Sequence, residues 1–220
     1  MPTASESRRA LTLVTRAAVA DVVRLFGSLD GSPKAMRADL LDAAPQIVDY
    51  YALGSSALAA DFYDDERDRA GVGRRFTAEP IVPDRAEKIA RAIAWAAEPL
   101  FAPAEHDAPA RLAEVVQLET ARPYRDTITT NRRRDPAAVG WRRVAESGCK
   151  FCRMLAGRGA VYKAESARFA THTNCHCTAA PVFDGQDGPE ASAVQYVASK
   201  RRKTEADRAR VRAYLAELDD

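Results

Sequence analysis

The chain reads as mainly α: a helical body over residues 1–135, a small cysteine-knuckle module with short β-strands over 136–184, and a charged helical or disordered tail over 185–220. Three observations carry this. Apolar residues before residue 135 recur at three- and four-residue steps, the period of one helix face. All four cysteines and two of the three histidines fall within residues 149–177. After Asp184 the pattern changes to Asp-Gly-Gln-Asp-Gly-Pro-Glu, a linker composition, and then to dense charge.

Composition narrows the possibilities. With 46% hydrophobic residues over 220 positions, the chain can bury a core as one large domain or two small ones. A formal net charge of +2 implies no strong overall pull on nucleic acid. The apolar segments are too short and interrupted to span a membrane, and the N-terminus lacks the apolar run of a secretory signal. A reducing compartment follows, which argues against disulfides.

The first helix is expected to start near Ser5 or Ser7, either of which can cap it. Leu11, Val14, Ala18, Val22, Leu25 and Phe26 form its apolar stripe, and residues 27–31 end it. Ser32-Pro33 restarts the chain, with serine as the cap and proline in the first helical position. Met36, Leu40 and Leu41 lead the next helix, and Pro45 marks a kink or a new start. Ile47, Val48, Tyr51, Leu58 and Phe62 continue the face, and residues 62–69 read as a solvated surface of ion pairs. Residues 71–83 are a break, extended between two prolines as an arm or edge strand.

Asp84 caps a third helix with Ile89, Ile93 and Trp95 near one face. Residues 106–119 form another, buried on several sides, with His106 at the surface. Residues 120–134 are polar and basic, with Arg122, Arg125, Arg132, Arg133 and Arg134. They suit either a solvated helix face or a contact to phosphate or an acidic partner. Residues 135–144 lead into the knuckle, where Trp141 and Val144 can pack on it. Residues 160–162 and 179–183 look like short strands. In the tail, Lys200, Arg201, Arg202 and Lys203 form a second basic run, a candidate contact to nucleic acid or a partner.

The stretch 149–177, CKFCRMLAGRGAVYKAESARFATHTNCHC, holds six candidate metal ligands. Cys149 and Cys152 form a C-x-x-C knuckle; His172, Cys175, His176 and Cys177 crowd the closing end. Two such pairs joined by a loop are what a tetrahedral zinc site requires, and soft thiolates suit zinc. Disulfides, a redox pair and inert thiols are the competing readings. The favoured set is Cys149, Cys152, Cys175 and Cys177, with His172 as reserve for Cys175 and His176 pointing away. Enough ligands are present to close the site, so the zinc is structural. A module this small needs metal to supply folding free energy. A zinc deaminase needs H-x-E ahead of P-C-x-x-C, and that motif is absent.

The run WRRVAESGCKFCRMLAGRGAVY over 141–162, then Phe169 and HTNCHC over 172–177, resembles the MuF-like minor head proteins of tailed bacteriophages, nearest to those of actinobacterial phages. YYALGSSALAADFYDDER over 50–67 resembles the helix that these proteins carry ahead of the module. The C-H-C ending departs from their commoner C-R-C. The resemblance implies a virion component that enters the prohead during assembly in the host cytoplasm. It would lie inside the head, with the portal protein or the major capsid protein as partner and packaged DNA as a further contact.

Some members are described as capsid maturation proteases, and longer ones carry a toxin domain. Here no G-x-S-x-G elbow or H-E-x-x-H is present, and the chain after residue 177 is too short for such a domain. A non-enzymatic assembly protein is therefore expected. The alternatives are a protease, a zinc-knuckle nuclease using His172, Asn174 and His176, and a zinc-dependent nucleic-acid-binding module.

Overall fold

The structure is a computed structural model that describes residues 1–73, 75–102, 107–145, 150–159, 162, 169, 171, 175–183, 205 and 209. Helices α1 (Ala4–Ser28), α2 (Pro33–Arg69), α3 (Ala86–Ala96) and α4 (Asp107–Arg134) form the body, with a 3-10 turn at Glu98–Phe101. Strand β1 (Ala138–Val144), helix α5 (Lys150–Gly157) and strand β2 (Thr178–Phe183) follow. The mainly helical body with a small stranded, cysteine-bearing module is the expected architecture. Of the tail, only Glu205 and Ala209 are described, both helical and exposed. The linker at 184–190 and the basic run 200–203 lie outside the described residues.

Helix α1 starts on Thr3, not on Ser5 or Ser7. Thr3 accepts from the Glu6 N–H while the Glu6 carboxylate accepts from the Thr3 N–H, a reciprocal capping box. Ser7 is instead buried, 2.7 Å from the Tyr124 hydroxyl on α4. Helix α2 has the expected Ser32 cap and Pro33 in its first turn. It runs through Pro45 as one helix, with Ala44 and Val48 fully packed on either side, so tertiary burial carries the helix past the missing N–H.

The far end of α2 is not a solvated surface. Phe62, Tyr63, Glu66 and Arg67 are buried. Arg67 Nε donates to Asp135 at 3.0 Å, and the Tyr63 hydroxyl reaches the same carboxylate at 3.3 Å. A buried charge needs its partner, and Asp135 supplies it from the end of α4.

Residues 75–85 form the expected arm, held by side chains rather than by a strand ladder. Glu79 N–H donates to Asn131 Oδ1 at 3.0 Å, and Ile81 N–H to Thr127 Oγ1 at 2.9 Å. Asn131 Nδ2 donates back to the Glu79 carbonyl at 2.8 Å. The N-cap of α3 is Arg85, not the expected Asp84, which stands one residue earlier and accepts from the Ala86 N–H at 3.2 Å. Ile89 and Ile93 face inward, but Trp95 is 45% exposed, with the Arg111 guanidinium over its ring.

Helix α4 is the centre of the fold. It is a single helix, through Pro123, where the sequence suggests a helix and a separate polar stretch. Thr120, Tyr124, Arg125, Thr127, Ile128 and Asn131 are all buried, so residues 120–134 are not a solvated face. The helix touches α1, α2, α3 and both strands.

Strands β1 and β2 pair antiparallel, with Trp141 opposite Pro181 and Val144 opposite Thr178. Proline is tolerated because each strand of a two-stranded sheet is an edge. The expected strand at 179–183 is β2; β1 is a strand where only a lead-in was expected. Of the other expected strand, residues 160 and 161 lie outside the described residues. Tyr162 bridges to Trp141 and stacks on it, ring centroids 4.1 Å apart.

Two cores result. One is mostly aliphatic, with Val22, Leu40, Val48, Ile93, Leu112 and Val116 among its residues, and joins α1 to α4. The other is aromatic, with Phe62, Tyr63, Tyr124, Trp141 and Phe183, and joins the helices to the sheet. The chain passes residue 135 at the end of α4, and this second core continues across it.

Candidate metal centre

Cys152 sits in the first turn of α5; Cys175 and Cys177 lie in the segment that enters β2. The fold brings these three thiols together. Their sulfurs all lie within 4.8 Å of one another, and the side chains are 1%, 1% and 4% exposed. Cys152 Sγ and Cys175 Sγ are 3.9 Å apart. Four thiolates about 2.3 Å from a tetrahedral ion stand roughly 3.8 Å from each other, whereas a disulfide needs about 2.05 Å. The spacing fits ligands around one ion.

His176 is exposed between its two cysteines and takes no part in the cluster. Cys149 and His172, the other candidate ligands, lie outside the described residues.

The cysteine turn is fixed from α4. Arg125 Nε donates to the Cys177 carbonyl at 2.9 Å and Nη2 to the Cys175 carbonyl at 2.8 Å. Gln117 Nε2 donates to the same Cys175 carbonyl at 3.1 Å. Phe169 covers the cluster, with the Arg143 guanidinium 3.9 Å and the Arg125 guanidinium 5.1 Å from its ring centroid. Trp141 lies on the same ring at 5.4 Å. Sheet, helix and cysteines therefore share one contact ladder.

The electrostatics favour thiolate at Cys175. The hydrogen bond from Cys177 and the positive charge of Arg125 hold the Cys175 thiol well below its ordinary value, against the effect of burial. Cys177 is pushed up, first by that hydrogen bond and then by burial, so Cys175 ionises first. Burial pushes Arg125 down to about 10, and the cysteines oppose the shift.

Arg125, read from sequence as part of either a solvated helix face or a phosphate or partner contact, is thus an internal clamp. Gln117 and Arg143 carried no sequence signal beyond a polar residue within an apolar pattern. The basic run at the end of α4 points elsewhere. Arg132 Nη2 donates to the Val139 carbonyl, Arg133 to Thr130 Oγ1, and Arg134 pairs with Glu79 at the surface. Lys200, Arg201, Arg202 and Lys203 lie outside the described residues.

A family model described as VG15 protein matches residues 2–203. The chain belongs to the VG15 protein family. No curated protein and no solved structure matches it. The family match indicates a phage virion-associated protein. Among the described residues, no helix is long and apolar enough to cross a membrane.

Proposed function

We propose that this VG15 family member is a minor capsid protein of the phage head, MuF-like in role, that acts in prohead assembly with a structural zinc site. The observation that carries the reading is the trio of buried thiols at ligand spacing, in a chain matched to a phage family along almost its whole length. Zinc is the metal proposed because an all-sulfur donor set is soft and tetrahedral. Cys152, Cys175 and Cys177 would hold it, with Cys149, or His172, completing the four. When bound, zinc supplies a cross-link between α5 and the turn before β2. The chain's own residues do the rest: Arg125 and Gln117 fix that turn on α4, and Phe169 shields it.

The three cysteines are no more than 4% exposed, which supports a structural role. The helical body is the proposed docking part. Its partners are the portal protein or the major capsid protein, at the inner head surface of the virion. Packaged DNA is a further candidate contact through the exposed Arg133 and Arg134 and the run 200–203.

Co-expression of the tagged chain with the phage's own portal protein or major capsid protein tests this. Expected are co-purification with at least one of the two, about one zinc per chain, and the chain in purified heads. Absence from the heads, with neither protein retained, would remove the assembly reading whatever the metal content.

A further inference from the structure

A guanidinium in a protein interior needs compensating negative charge as well as hydrogen-bond acceptors. Arg125 is 2% exposed. Its bonds go to two backbone carbonyls, and Nη1 has no hydrogen-bond partner among the described residues. Both carbonyls belong to cysteines of the thiol cluster, so the Arg125 guanidinium sets the orientation of the peptide units that carry Cys175 and Cys177.

We infer that Arg125 is the positioning residue of the metal centre. It holds the Cys175 and Cys177 carbonyls against α4 from 50 or more residues earlier in the chain, and so fixes how the two thiols are presented to the ion. The centre is therefore completed by the helical body, and the knuckle sequence alone lacks a part of it.

The inference rests on the metal reading above, and the two fail separately. Zinc and cobalt(II) are added to the full-length chain, and affinity and release are measured by chelator competition. Arg125→Met is expected to bind zinc about 10- to 100-fold more weakly, the range for outer-shell partners of metal ligands. The thiolate-to-cobalt charge-transfer band should weaken or shift. Arg125→Lys keeps the charge but loses the double clamp, and should recover part of the affinity. Gln117→Leu, which removes one bond to the same carbonyl, should speed release by a smaller factor.

If Arg125→Met does not fold, the lysine and Gln117 variants decide. A parent chain that takes up neither metal overturns the centre, and the inference with it. A parent that binds metal, beside folded variants with unchanged release and cobalt spectra, overturns the inference alone. In that case Arg125 would lower only the melting temperature, as a purely structural residue does.

Discussion

The two halves of α4 hold the molecule by different means. The first half presents Ala108, Leu112, Val115 and Val116 to the aliphatic core. The second half, from Gln117, presents polar side chains that are just as buried. Gln117 and Arg125 hold the cysteine turn, Thr127 and Asn131 hold the arm at Glu79 and Ile81, and Ser55 of α2 donates to the Thr120 carbonyl. Apolar contact is non-directional and needs only shape. The polar half serves segments that have no ladder of their own, whose backbone N–H and C=O groups must still find partners. One helix thus stabilises a core by area and two irregular segments by hydrogen bonding.

Metal removal should separate the two halves most sharply. Structural zinc sites in small peptides contribute roughly 10–16 kcal/mol of binding free energy, most of which appears as folding. Trp141 lies on Tyr162 and Phe169 next to the cluster, whereas Trp95 lies on α3. In a Trp95→Phe chain, chelation should change the fluorescence of Trp141 while far-UV circular dichroism keeps most of the helical signal. Loss of both together would mean that the aliphatic core does not stand without the metal, and the comparison would break.

Next come single substitutions in each half. Leu112→Ala opens a cavity in the fully packed aliphatic core and should lower stability by about 2–5 kcal/mol in urea unfolding, with metal content unchanged. Asn131→Leu removes three hydrogen bonds, two of them to Glu79 of the arm, and should lower it by about 1–3 kcal/mol for each buried group left unpaired. The discriminating readout is limited proteolysis. Asn131→Leu should expose residues 75–85 to cleavage before global unfolding, and Leu112→Ala should not. Equal cleavage in both would show that the arm is held by the core and not by these bonds.

These differences explain what was legible in the sequence. The Ser32-Pro33 start and the inward face of Leu11, Ala18 and Val22 were readable because caps and apolar period are local. The cysteine cluster was readable because thiols are rare and their spacing is restrictive. The second half of α4 was not. Arg125, Thr127 and Asn131 look solvated because their partners are main-chain groups, which leave no residue-type pattern in sequence. β1 was hidden for a related reason: Arg143 is buried there beside Gly140 and Trp141, and no apolar alternation marks the strand. Asp135 read as the start of the lead-in to the knuckle, yet it is the partner of Arg67, and only the approach of α2 to the end of α4 makes that visible.

The smallest effect is expected at the end of α4, and its smallness is informative. Arg134 is half exposed, and its partner Glu79 is 72% exposed. Arg133 is exposed and, among the described residues, bonds one turn back to Thr130. Exposed ion pairs contribute about 0–1 kcal/mol, and a cation at a helix C-terminus about 0.3–1 kcal/mol. Arg133→Ala with Arg134→Ala should therefore lower stability by no more than about 1 kcal/mol, with metal content and the cysteine turn unchanged. Arg132 is left in place because it holds the Val139 carbonyl at the start of β1. The double variant consequently separates surface charge from fold. If it retains parental stability and loses salt-dependent retention of DNA or of the portal protein, the exposed end of α4 is a contact surface. If retention is unchanged, these arginines serve only as the solvated end of the helix, and the contact must be sought elsewhere on the body.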